Sequence, residues 1–215
     1  MVGKSDNFQN GSQDPFEFIS STASAGVASQ RLVIVKYAGS DRFLHLNVNK
    51  NGSNGGLAIN TAGSTYGHST AVGALSVAAV DVATANGGAF TGGTANPIET
   101  YSSDGPRRIF FNADGTPITP GNFSSTGGTV RQKPNIAAAD GVATSVVGFN
   151  PFFGTSAATP HAGAIAALVK SLDPGLPSAF IRPILTQTAL DIEAFGVDRD
   201  SGAGILDAFA AVRIS

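Results

Sequence analysis

The sequence predicts a mixed α/β fold in which helices cover both faces of a parallel sheet, giving three layers. Residues 71–81 form a nearly continuous apolar run, which is typical of a strand buried on both faces of a parallel sheet. Residues 156–172 predict a long helix that is apolar almost all round, so we expect it to be buried centrally. Asp173-Pro174-Gly175 ends this helix, because proline and glycine interrupt the helical pattern.

The residues ahead of this core predict a small β-rich insertion. Two apolar runs, residues 31–37 and 42–48, predict strands joined by a short turn, and residues 57–59 predict a third strand. We therefore expect residues 1–65 to form a polar loop with this β-rich insertion, and residues 66–215 to form the α/β core. Nothing in the insertion selects a ligand.

The rest of the core alternates short apolar runs with turn-forming residues. Further strands are predicted at residues 109–111, 136–138 and 144–148. Two more helices are predicted at residues 178–190 and 207–214. The order of strands and helices favours a parallel sheet, and this sheet is expected to be incomplete.

Composition excludes several classes of function. The 215 residues suit one domain or most of one. A net charge of −2 and the lack of a basic cluster give no case for nucleic-acid binding. Cysteine is absent, so disulfides and thiolate metal sites are excluded. No run of 18 apolar residues predicts a membrane span, and residues 1–5 have no apolar stretch of the kind that would predict a signal peptide.

One run of residues carries the strongest chemical signal. Residues 154–168 read GTSAATPHAGAIAAL and place Ser156 where a loop becomes a helix. The N–H groups of a first helical turn have no partner within the helix, and the helix dipole favours negative charge there. These N–H groups could hold the oxyanion of a tetrahedral intermediate formed beside Ser156.

The octapeptide GTSAATPH resembles the nucleophile motif G-T-S-x-A-x-P-H of the subtilisin-like serine proteases. Glycine often stands eight residues after the serine in that family, whereas this chain has Ala164 there and Gly163 before it. Both residues are small, so we expect close packing of this helix to persist. The motif is more specific than G-x-S-x-G, which is excluded because Ala158 stands where the second glycine should be.

Four other segments resemble family segments and occur in the family's order. Lys133 begins one that resembles K-P-D-I-x-A-P-G, with Asn135 for Asp and Ala139 for Pro. The other three are residues 72–81, which resemble V-I-A-V-G-A-V-D; residues 101–106, which resemble F-S-S-x-G-P; and residues 202–208, which resemble G-x-G-x-(I/V)-(D/N)-A. The resemblance therefore covers residues 66–215 and leaves the first 65 unexplained.

The resemblance implies a serine endopeptidase that acts on polypeptides through an acyl-enzyme on Ser156. Gly154 and Thr155 would form the nucleophile loop. The family's Asp, its H-G-T-H histidine and its oxyanion Asn have no matching context here. We therefore expect the C-terminal part of a catalytic domain that is inactive without its N-terminal half, exposes a sheet edge and can self-associate. The resemblance also implies a secreted or cell-envelope location and allows calcium as a ligand.

None of the three histidines is predicted to be the base. His161 lies five residues after Ser156, which on a helix is about 140° around the axis, so it points away from the nucleophile. His68 precedes the strand at residue 72 in a context unlike that of the family's base. His45 alternates with apolar residues and is expected to point outward from a strand.

Two alternative functions and two acidic segments remain open at this stage. The sedolisin family of serine-carboxyl peptidases shares the fold, although His161 favours the subtilisin-like proteases. A non-catalytic subtilase-like binding module is the second alternative. Asp6 to Glu17 has part of a calcium-loop spacing, but Phe8 stands at the third position and cannot bind calcium, so a surface turn is favoured. Residues 198–200 are likewise interpreted as a solvated turn.

Overall fold

The computed structural model describes four stretches of the chain, residues 3–10, 16–22, 29–48 and 57–214. Two compact units are distinguished, residues 1–40 and residues 41–215. Among the described residues, the helices and strands lie in the second unit: β1 (Val77–Asp81), β2 (Arg107–Ile109), β3 (Thr129–Arg131), β4 (Ile136–Asp140), α1 (Thr155–Leu172), α2 (Ser178–Gln187) and α3 (Ala208–Arg213). Two short 3-10 helices lie at Gly67–Thr70 and Val82–Ala85.

In the first unit, polar side chains gather around one exposed carboxylate. Glu17 accepts hydrogen bonds from Ser5, from Asn7 at 3.0 Å and from Gln9 at 2.5 Å. Asp6 instead pairs with a neighbouring lysine on the surface. Residues 11–15 of the partial calcium-loop spacing lie outside the described residues. Within the described ones, the acids at the two ends of that spacing are engaged with separate partners.

A small parallel sheet forms the centre of the second unit. β1 and β4 run parallel with Val77 opposite Ile136 and Asp81 opposite Asp140. Nearly every residue of the two strands is buried or half-buried, as expected for parallel strands that are covered on both faces. The strand predicted at residues 71–81 is therefore present only over its last five residues, whereas the one predicted at residues 136–138 is present in full and extends to residue 140. The fold is mixed α/β with a small parallel sheet.

Helix α1 lies against this sheet by one face. Its buried residues are small, with Ala157, Ala158 and Ala162 packed close to the strands and Val169 further along. The opposite face is open: Leu168 is 52% exposed and Leu172 is 58% exposed. The predicted central burial of this helix was therefore wrong among the described residues. Composition could not separate the two faces, because both are apolar: the buried face carries alanines and Val169, and the exposed face carries alanines with Leu168 and Leu172.

Segments outside the named strands cover both edges of the two-stranded sheet. On the free edge of β1, Ala79 accepts the Glu99 N–H at 2.8 Å and donates to Ser102 Oγ at 3.0 Å. On the free edge of β4, Ala137 exchanges backbone hydrogen bonds with residues 204–206. The expected exposed sheet edge is therefore absent at these positions, because irregular chain satisfies the backbone groups there.

The predicted β-rich insertion has no strand in the structure. Residues 31–37, 42–48 and 57–59 all fall within the described residues, and none of them pairs into a sheet. Their apolar side chains are largely exposed, with Val33 at 74% and Ile59 at 88%. Apolar alternation measures only the tendency to form a strand, whereas a strand exists only where a partner satisfies its backbone groups.

Two other strand predictions are corrected in position or in type. The strand expected at residues 109–111 ends at residue 109 and pairs antiparallel with β3, so it lies outside the parallel sheet. Residues 144–148 form turns rather than a strand, and an isolated bridge between Val142 and Phe152 closes this loop. The segment between β4 and α1 is therefore a loop whose two ends are held together by this bridge.

The helices α2 and α3 complete the cover of the core. Leu185 of α2 and Ala211 of α3 are fully buried in the same cluster as the inner face of α1. Asp207 caps α3 by accepting the Ala210 N–H at 2.9 Å, which satisfies one of the free donors of the first turn. Across the described stretches, every helix is too short or too polar to cross a bilayer.

Candidate active site

Ser156 lies at the beginning of α1, as the sequence predicted. The helix begins at Thr155, so Ser156 is its second residue, and its side chain is exposed. Gly154 precedes the helix with φ 119° and ψ 158°, a backbone conformation that is open essentially to glycine alone. The glycine of the GTS motif is therefore required by the sharp turn that presents Ser156 to solvent.

The first turn of α1 leaves a backbone donor available beside the serine. The N–H groups of Ala157 and Ala158 both bond to the Gly154 carbonyl, at 2.8 and 3.2 Å. Within the described residues, the N–H of Ser156 has no acceptor. This donor lies at the positive end of an 18-residue helix, where an oxyanion would be stabilised.

A buried carboxylate holds the loop that carries the serine. Asp140 is the last residue of β4 and is 0% exposed. Its Oδ2 accepts the Gly154 N–H at 2.7 Å and also accepts the Tyr101 hydroxyl, while its Oδ1 is buried without a partner among the described atoms. Sequence reasoning missed both Asp140 and Tyr101. The available signal was an Asp ending an apolar strand shortly before the GTS motif.

Acidic groups collect at the carboxyl ends of the two parallel strands. Asp81 ends β1 opposite Asp140, because the strands are parallel and in register. Burial raises the pKa of Glu99, and the charges of Asp140 and Asp81 raise it further. Burial also raises the pKa of the Tyr101 phenol, together with its hydrogen bond to Asp140. Tyr101 therefore remains a proton donor to Asp140 at neutral pH.

Among the described residues, no basic side chain is hydrogen-bonded to Ser156. No hydrogen bond among them joins Ser156 Oγ to a histidine. His161 Nδ1 instead lies 2.8 Å from the carbonyl of residue 157, in the preceding turn of its own helix. His45 contacts Arg107, and burial followed by the Arg107 charge lowers the pKa of its imidazole. That Ser156 takes its base from elsewhere remains a prediction.

Metal binding finds little support in the part of the chain that is described. No three of its His, Asp or Glu side chains are placed to hold a metal ion together. The carboxylate of Asp198 accepts hydrogen bonds from the N–H groups of Asp200 and Ser201, both at 2.7 Å. Arg199 lies 3.4 Å from Asp200, so this turn is internally satisfied. These residues do not fit the calcium ion that the resemblance allows.

The structure thus combines a mixed α/β core with an exposed serine at the start of the helix that follows a parallel strand. The sequence model of the Peptidase_S8 (subtilase) family matches residues 10–204, and the chain belongs to the subtilase family. The matched region begins well before residue 66, so it includes most of the segment whose family motifs could not be recognised. No curated protein matches the chain.

Two solved structures illustrate the similarity and its limits. The psychrophilic subtilisin-like protease Apa1 from the Antarctic psychrotroph Pseudoalteromonas sp. AS-11 is 41% identical over 27% of this chain, with a TM-score of 0.27. Fervidolysin from Fervidobacterium pennivorans, a keratinolytic enzyme related to subtilisin, is 23% identical over 68% of this chain, with a TM-score of 0.39. The matched regions span 14% and 20% of those two proteins.

Proposed function

We propose that this chain carries the nucleophile of a serine endopeptidase. In this proposal Ser156 attacks the scissile carbonyl and forms an acyl-enzyme, which water then hydrolyses. Gly154 and Thr155 shape the nucleophile loop, and the Ser156 N–H contributes to the oxyanion hole. Residues 66–215 are the C-terminal part of a subtilisin-like catalytic domain with a three-layer parallel sheet, and polypeptides are the substrate.

The observation that carries this proposal is the exposed Ser156 at the positive end of α1. A hydroxyl at that place can approach a carbonyl carbon while a backbone donor faces the oxygen that gains charge. Membership of the subtilase family supports the same role. Secretion or attachment to the cell envelope is proposed on the family resemblance alone.

Activation of Ser156 is proposed to come from an Asp and a His in the N-terminal part of a longer catalytic domain. A serine hydroxyl is a poor nucleophile at neutral pH unless a base accepts its proton. His161 and His45 are not proposed as this base, because the imidazole of each contacts a group other than Ser156. The Asp and His contexts of the family are also absent from the printed sequence.

A fluorophosphonate probe tests the nucleophile directly, because it reacts with activated serines. In the full-length natural protein that contains these residues, we expect the probe to label Ser156 and no other serine, as mapped by mass spectrometry. The Ser156→Ala variant should lose the label, because it removes the attacking oxygen. Ser145→Ala, an exposed serine in the preceding loop, is the matched control and should label normally.

Two results would count against the proposal. A natural protein that is folded but leaves Ser156 unlabelled would favour a non-catalytic module. Labelling that is confined to acidic pH would favour the serine-carboxyl chemistry of the sedolisin type, because a carboxylate base functions at lower pH than a histidine.

A further inference from the structure

We infer that Asp140, assisted by Tyr101, is a positioning residue that sets the nucleophile loop in the conformation that presents Ser156. This inference rests on the proposed function, in which Ser156 is the nucleophile. Asp140 does not act on the substrate in this account; it acts through the backbone of Gly154.

The contact geometry fixes Gly154 at both of its peptide groups. Its N–H donates to Asp140 Oδ2 at 2.7 Å, at the short end of the range for an N–H···O hydrogen bond. Its carbonyl accepts from the N–H groups of the first turn of α1. Ser156 follows two residues later, so its direction depends on a glycine whose φ of 119° must be held by its surroundings.

Tyr101 fixes the carboxylate from the other side. Its hydroxyl donates to the same Oδ2, although its ring is 49% exposed. Tyr101 belongs to the segment that covers the edge of β1 through Glu99 and Ser102. Asp140 therefore joins three separate parts of the chain: the end of β4, the segment beside β1 and the nucleophile loop.

The burial of the Asp140 carboxylate costs free energy. A fully buried carboxylate with one oxygen lacking a partner among the described atoms loses hydration that its hydrogen bonds replace only in part. The resembling segment K-P-D-I-x-A-P-G has glycine at the place where this chain has Asp140. The carboxylate is therefore a feature of this chain rather than of that pattern.

The first test measures amide hydrogen exchange in the 215-residue chain by NMR. Asp140→Ala should speed exchange at the Gly154 amide by up to about tenfold, as expected for loss of one hydrogen bond. The Ala79 and Ala138 amides of the central strands should exchange as in the wild type. Asp140→Asn keeps an oxygen acceptor, so it should restore much of the protection, and Tyr101→Phe should give a smaller increase than Asp140→Ala.

The second test measures the rate of Ser156 labelling by the fluorophosphonate probe in the full-length natural protein. A misplaced reacting group costs on the order of 100-fold in rate, so Asp140→Ala should slow labelling by about 10- to 100-fold. Asp140→Asn should again be intermediate. Asp81→Ala is the matched control: Asp81 ends the neighbouring strand but caps the N–H of Ala83 rather than that of Gly154, so labelling should stay normal.

Unchanged Gly154 exchange in Asp140→Ala would overturn the inference. Equal acceleration at Gly154, Ala79 and Ala138 would also overturn it, because that pattern means general destabilisation. If Asp140→Ala does not fold, Asp140→Asn and Tyr101→Phe decide by the same comparison of amides. If the wild type is never labelled, the proposed function fails while the exchange measurement still judges the positioning role.

Discussion

At the scale of single residues, Lys133 is a buried charged residue, as Asp140 is, but without any carboxylate near it among the described residues. Only 2% of it is exposed, and its ammonium donates to the carbonyls of Ala71 and Ala74 and to Asn135 Oδ1 at 2.7–3.1 Å. None of the described carboxylates pairs with it. Burial, and then the charges of Arg182 and Arg131, lower its pKa to about 8 from the usual 10.5. The Lys133 ammonium is thus stabilised by hydrogen bonds to three neutral oxygens, while the positive charges of Arg182 and Arg131 disfavour its protonated form.

This pKa predicts how stability depends on pH. Because the folded pKa is lower than the unfolded one, the cost of burying the charge is fully present below pH 8 and is relieved between pH 8 and 10.5. The free energy of unfolding of the wild type should therefore rise relative to Lys133→Met, by up to about 1.4 kcal/mol per pH unit in that window. Urea denaturation of both proteins at pH 7.5, 8.5 and 9.5 measures this difference in the free energy of unfolding. Parallel pH profiles for the two proteins would contradict the lowered pKa.

At the scale of the element, α1 has one face packed against the sheet and one face exposed to solvent. Its inner face is built from alanines such as Ala158, which is 0% exposed against the sheet. Gly163 and Ala164 were expected to preserve close packing, but both are exposed. A Cβ added at Gly163 would meet nothing within 4 Å. Small size is therefore needed on the inner face and is not needed at Gly163 in this chain.

Two substitutions in α1 should consequently have opposite effects. Gly163→Ala should stabilise the chain by about 0.5–1 kcal/mol, because alanine costs less backbone entropy in a helix and meets open space. Ala158→Leu should destabilise it by about 1–3 kcal/mol through overpacking. Urea denaturation of the two variants and the wild type measures both changes. A destabilising Gly163→Ala would mean that the outer face packs against something in solution.

At the scale of the whole molecule, the described surface carries many large apolar side chains. Leu168 and Leu172 line the outer face of α1, and Phe195 and Phe209 are exposed by 102% and 71%. Exposed apolar area of this kind marks interaction surfaces. It supports the expectation that this chain associates with an N-terminal half or with itself, and that expectation remains a prediction.

The isolated 215-residue chain should not hydrolyse casein. Ser156 lacks a base among the described residues, and a serine without a base has little reactivity at neutral pH. Release of acid-soluble peptides from labelled casein measures this, with subtilisin as the positive control. Casein hydrolysis by the purified chain that disappears in Ser156→Ala would overturn the prediction, and it would require a base within these 215 residues.

Much of the candidate site was accessible from the sequence because its determinants are local. Neighbouring residues and a regular apolar period are enough to predict such elements. They include the GTS motif, the helix after it and the apolar strands at residues 77–81 and 136–140. Family membership followed from five ordered segments and is confirmed. The roles of Ser156, Gly154 and Thr155 remain predictions.

Tertiary structure alone decided the features that depend on distant partners. Residues 31–37 have the composition of a strand but form none, because no segment of the described chain pairs with them in a sheet. Which face of α1 is buried was settled by its packing on β1 and β4. The contact of Asp140 with Gly154 and Tyr101 joins residues 14 and 39 positions away. The sequence by itself thus predicted Ser156 as the candidate nucleophile, while long-range contacts decided which residues lie against the loop that carries it.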